Sequence, residues 1–161
     1  MKRTLILITL SASVFAADFM LAIGSPVAAS LPGEPTTSDG APIRARKVNA
    51  LFAVRTENCA DPANALVNAT GESVVNGVRQ SAAIRLVAGS GPGVYLVPGL
   101  SRGGQGVWVV RLLASCGNAR AGALVPIGPD GFIRESSKFF PRLVTEGEID
   151  ALLKSLAGGA K

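Results

Sequence analysis

The chain has 161 residues, room for one ordinary domain, and 48 % of them are hydrophobic, enough to form a core. Lys and Arg number 16 against 11 Asp and Glu, a net charge of +5, and there are two cysteines. Histidine is absent, which excludes every mechanism built on a Ser-His or Cys-His pair or on a His-ligated metal.

The N-terminus reads as an export signal. Lys2 and Arg3 form a positive n-region, and Thr4 to Phe15 an apolar h-region. Val27-Ala28-Ala29 then places small side chains where a signal peptidase reads them. Cleavage is expected after Ala29, making residues 1–29 the signal peptide and the protein periplasmic or secreted; Ala16 or Ala17 offers an earlier site. The alternative is an uncleaved anchor over about residues 4–23. Asp18 counts against it, because a carboxylate near mid-bilayer costs roughly 2.5–3.5 kcal/mol. No cysteine near these sites invites lipid attachment. Cleavage after Ala29 removes both methionines, and few soft metal ligands remain.

Residues 30–46 (SLPGEPTTSDGAPIRAR) mix Pro and Gly with Ser and Thr and are expected to form a flexible linker. From Val48 the pattern becomes period two: Val48, Ala50, Phe52 and Val54 alternate with Asn49, Leu51, Ala53 and Arg55, a half-buried strand. Asp61-Pro62 ends it, and Ala65-Leu66-Val67 opens the next. Asn76-Gly77 between valines predicts a two-residue I′ hairpin turn. Further strands are expected at Ile84 to Val87, Val94 to Val97 and Val107 to Ala114, with Ser101 to Gln105 a Gly-rich turn. Ala123 to Ile127 follows, placed at a sheet edge by Pro126. Pro129-Asp130-Gly131 turns the chain into a short return at Phe132-Ile133.

This series predicts a mainly β fold, an antiparallel β-sandwich over 47–142. In an oxidising compartment Cys59 and Cys116 pair by default, closing a loop of about 58 residues worth roughly 4 kcal/mol. Trp108, Val110, Leu112 and Ala114 share a strand face with Cys116, which would bring the indole to the disulfide side. Thr145-Glu146-Gly147-Glu148 is a capping box, and Ile149, Leu152, Leu153 and Leu156 recur at helical spacing. An amphipathic C-terminal helix over 143–157 is therefore expected, docked on the sandwich, with 158–161 a disordered tail.

No site chemistry stands out. Gly89-Ser90-Gly91 resembles a nucleophile elbow only superficially, since Pro92-Gly93 cannot open a long helix. Glu146, Glu148 and Asp150 read as helix-start residues rather than a metal or acid–base cluster. Arg79, Arg85 and Arg111 fall on strand positions expected to face outward, a strip able to meet carboxylates or phosphates. Basic clustering with interleaved aromatics is absent, so nucleic acid is not an expected partner. Phe139-Phe140, before Pro141, reads as a core plug first and a binding handle second. These five residues form the candidate binding surface, facing a protein or anionic partner, with no cofactor and no metal ligand set.

Gly93-Val94-Tyr95-Leu96-Val97 followed by Gly106-Val107-Trp108-Val109-Val110-Arg111-Leu112 resembles the G-x-Y-x-V…G-x-W-x-V-x-L pattern of bacterial extracytoplasmic Ig-like domains of the YtkA-like kind, over about 20 residues. The resemblance implies an Ig-like sandwich, and for some relatives copper handling or oxidase assembly through His, Met or Cys ligands. His is missing throughout and Met after the expected cleavage, so the metal role does not carry over. Trp108 also lies eight residues before Cys116 rather than soon after Cys59, unlike antibody-type domains. The expectation is a non-catalytic binding or interaction protein. A metal-handling accessory is the alternative, and an enzyme without histidine the second.

Overall fold

Asn76 and Gly77 both adopt positive φ, 52° and 78°, as a I′ turn requires, and they close a hairpin with Val75 facing Val78. Around it the computed structural model, which describes residues 18–30, 32–99 and 108–158, is an antiparallel β-sandwich. Its elements are β1 (Met20–Gly24), α1 (Ile43–Lys47), β2 (Ala50–Glu57), β3 (Leu66–Val75), β4 (Val78–Ile84), β5 (Val87–Ala88), β6 (Val94–Pro98), β7 (Trp108–Cys116), β8 (Ala119–Gly128), β9 (Gly131–Phe132), β10 (Lys138–Phe140) and α2 (Glu146–Gly158). One sheet runs β1-β2-β6-β5; the other runs β10-β8-β7-β3-β4, with β9 also on β8. Residues 1–17, which hold the n- and h-regions of the expected signal, the turn at Ser101 to Gln105, Val107 and the end of the tail, 159–161, lie outside the described residues.

Period-two alternation builds the layers. Phe52, Val54 and Val97 from the first sheet meet Val110, Leu112, Ala123 and Val125 from the second in the central core. The intervening residues of the second sheet, Val109 and Leu124, face the other way and pack under α2 with Ile149, Leu152 and Leu153. Gly122 on β8 lets this happen: a Cβ there would stand 2.7 Å from Val144 Cγ2 and 2.9 Å from the Arg142 carbonyl oxygen. The helix thus docks on the sandwich through the stripe its spacing indicates.

The outer face of the first sheet is covered too, and this corrects the linker reading of 30–46. Ala53 and Leu96 pack with Ala29 and Ala45, forming a third small core. Thr36 bridges Pro42, the Thr37 N–H donates to the Ala41 carbonyl at 2.8 Å, and Pro42 is fully buried. Arg44 pairs with Glu34 at 2.6 Å and donates to the Ala29 and Ala88 carbonyls. Composition misleads here because the ordering comes from small side chains, from prolines that restrict the unfolded chain, and from one arginine tying three backbone segments.

The boundary expected after Ala29 falls inside this body. β1 pairs with β2 from Met20↔Glu57 to Gly24↔Ala53, and Phe19, Leu21 and Ala29 are buried. Two smaller expectations also change. β8 is not an edge strand; Pro126 is tolerated because its carbonyl and nitrogen side faces the gap between β9 and β10, where Ile133 N–H reaches the Pro126 oxygen at 2.8 Å. Trp108 and Cys116 share the core face but sit at opposite ends of β7, about 26 Å apart at roughly 3.3 Å per residue, so the indole does not pack on the disulfide.

Cys59 and Cys116 are bonded, with their Cα atoms 5.8 Å apart. Cys59 follows β2 and Cys116 ends β7, so the bridge links the two sheets.

Candidate functional site

The outer face of the second sheet concentrates charge beneath α2. Glu72 on β3 stands opposite Ser81 on β4 and Val109 on β7. Arg79 faces Val74, and Arg111 faces Thr70, each one pair along from Glu72 on the same face. Glu72 is fully buried. Its Oε2 accepts from Arg79 Nε at 3.2 Å and from the Ser81 hydroxyl, and its Oε1 lies 3.3 Å from Arg111 Nη2.

Helix α2 completes the arrangement from above. Glu146 in its first turn takes Arg79 Nη2 at 2.7 Å on one oxygen and Arg111 Nη1 at 2.8 Å on the other. Two carboxylates and two guanidinium groups therefore close a ring of alternating charge, and Asp150, one turn on, adds a third contact to Arg79 at 3.0 Å. Burial works against the charge on Arg79, but hydrogen bonds to Glu146 and Glu72 outweigh it and hold the guanidinium pKa above its ordinary value. The Arg79 hydrogen bond, helped by the charge of Arg111, holds the Glu146 carboxyl below its ordinary value. Glu72 Oε1 and Arg111 Nε are buried without a hydrogen-bond partner among the described residues, so the inner half of the ring is held by charge more than by aligned hydrogen bonds.

The outward strip of arginines is thus corrected. The structure brings Arg79 and Arg111 together but commits both to Glu72 and to the helix. Arg85 stands apart, exposed just beyond β4, with no ion pair among the described residues. The chemistry of the ring is cohesive: it fastens α2 to β3, β4 and β7. Glu72 and the acids of α2 carry this role. Their sequence signal was the i, i+4 pair Glu146 and Asp150 beside the apolar stripe, which dipole reasoning alone had absorbed.

The helix start has its own lock. Thr145 N–H donates to Glu148 Oε2 at 2.9 Å, as a capping box requires. The Thr145 hydroxyl, however, donates to the same carboxylate, while the Glu148 N–H goes to the Thr145 carbonyl at 3.2 Å. Arg142 adds two bonds, at 2.7 and 3.0 Å, and holds the Glu148 carboxyl down from its ordinary 4.5 to about 2, with the Thr145 N–H as the next cause.

Phe139 and Phe140 lie on β10, at the sheet edge opposite β4. Phe140 packs toward the α2 cluster, and the Arg142 guanidinium sits 5.0 Å from its ring centroid. Phe139, opposite Ala123 on the core-facing side of the sheet, is 37 % exposed at the edge. Ser90 occupies the loop between β5 and β6, closed by Gly89 N–H to Val94 O at 2.7 Å. The five candidate surface residues are therefore spread over the half-buried ring, the end of β4 and the far edge. A surface that the alternation rule missed is the tip of the β3–β4 hairpin, where Val74, Val75 and Val78 are exposed, Val78 by 63 %. Beside it β4 bonds only β3; its other edge borders no strand among the described residues.

No group of three His, Cys, Asp or Glu among the described residues could hold a metal ion, and no helix among them is long and apolar enough to cross a membrane. No protein-family model, curated protein or solved structure matches the chain.

Proposed function

We propose that the chain is an exported binding protein that performs no catalysis and presents the open edge of β4 to an extended segment of a protein partner. The observation that carries the reading is the Cys59–Cys116 bridge between the two sheets, a feature suited to an oxidising compartment. The partner follows from the edge. An unpaired strand offers backbone donors and acceptors to a second strand, the valines of the hairpin tip add apolar contact, and Arg85 favours an acidic side chain near the far end. An Ig-like relation, read from the glycine-flanked Tyr95 and Trp108 strands, belongs to the same proposal. Copper handling gains no support from the described residues, whose two cysteines are bonded to each other.

The test places a photo-crosslinking residue at Val78 and, as a control, at Lys154 on the exposed side of α2. A discrete adduct with one exported protein from position 78 alone is expected. Equal adducts from both positions, or turnover of ester, glycoside or peptide substrates by the purified protein, would overturn the reading.

A further inference from the structure

Two stretches of the N-terminal sequence suit a signal peptidase: Val14-Phe15-Ala16 and Val27-Ala28-Ala29. The fold discriminates between them. The described residues from Asp18 to Ala29 are held in the sandwich. Asn58 Nδ2 donates to the Asp18 carbonyl at 2.9 Å. Phe19 and Leu21, 6 % and 4 % exposed, lie in the central core with Phe52 and Val54. β1 supplies the edge strand against β2, and Ala29 seats in the third core while its carbonyl accepts from Arg44. Cutting after Ala29 would strip an edge strand, open the β2 edge and unseat Arg44.

The same placement counts against the anchor alternative. With Phe19 in the core, the apolar stretch left for lipid is Thr4 to Ala17, 14 residues. As a helix that is about 21 Å at roughly 1.5 Å per residue, short of the roughly 30 Å hydrocarbon core. It is the length of a signal h-region.

We propose that an export signal peptidase hydrolyses the Ala16–Ala17 peptide bond. Water adds across the bond, leaving a carboxylate on Ala16 and a free amino group on Ala17. The mature protein then starts Ala17-Asp18-Phe19, keeps Asp18 and Met20, and carries 14 basic and 11 acidic residues. This inference rests on the export reading above.

The experiment expresses the full chain in a Gram-negative host and reads N-terminal sequence, intact mass and thiol state from the periplasmic, membrane and cytosolic fractions. A disulfide-bonded periplasmic protein beginning at Ala17 is expected. Val27→Arg, a change at an exposed residue that disables the later site, should leave processing unchanged, and Ala16→Arg should leave the chain full length. A folded, bonded protein beginning at Ser30, or a wild-type chain kept whole in the membrane, would overturn the cleavage site while leaving export standing. A full-length chain in the cytosol with two free thiols would overturn export itself.

Discussion

Glu72 is the residue on which the helix–sheet junction turns. It is buried and shared by Arg79 and Arg111; both guanidinium groups keep Glu146 if it is removed, so the loss is that of its charged hydrogen bonds, about 1–3 kcal/mol. Glu72→Ala is expected to lower stability by that order in urea unfolding, and Glu72→Gln, which keeps the shape and part of the hydrogen bonding, by less. A Glu72→Ala protein as stable as the parent would show that the ring carries no weight. At the rim, Glu148 has a folded pKa depressed from 4.5 to about 2, so its contribution is complete above about pH 4.5 and is lost as pH falls toward 2. Following the Glu148 carboxyl carbon by NMR, Arg142→Ala is expected to move its midpoint upward, toward the ordinary carboxylate range. Of this, only the Thr145–Glu148 cap is readable from residue identity. Alternation puts Arg79 and Arg111 on the face away from the core, and α2 half-covers that face. The β3–β7 register that brings Thr70 to Arg111 joins residues 41 apart in the chain.

Among the elements, those carrying their own local physics were the legible ones. Asn76-Gly77 makes the turn it spells, and Gly77→Ala, which forces a Cβ into φ of 78°, is expected to cost about 1–2 kcal/mol in thermal or urea unfolding. The stripe of α2 docks where its spacing points, but the surface receiving it depends on a missing side chain. Gly122→Ala is expected to push residues 142–144 off β8 and to cost about 1–3 kcal/mol as overpacking, visible as faster hydrogen exchange in α2 than in β7. The segment 26–47 was illegible for the converse reason. Its alanines and prolines have no periodicity, and they order only because β2 and β6 offer the small flat face of Ala53 and Leu96. β1 was hidden by overlap, since an apolar strand of five residues after an h-region looks like its continuation.

For the whole molecule, the two sheets are joined by the central core and by one covalent bond. The Cys59–Cys116 bridge spans 57 positions of sequence, and removing a native disulfide from a small exported domain costs about 2–5 kcal/mol. Both β layers followed from alternation and turn signals, and the pairing from the presence of only two cysteines. The outer layers, α2 on one side and residues 26–47 on the other, cover the outer faces of both sheets, while the valines at the β3–β4 tip stay exposed. The most direct measurement is thiol alkylation of the protein recovered, unreduced, from the compartment that holds it in its native cell, read by intact mass. No adduct before reduction and two after it are expected of an exported, sheet-to-sheet disulfide. Two alkylated cysteines in the folded, unreduced protein would contradict it.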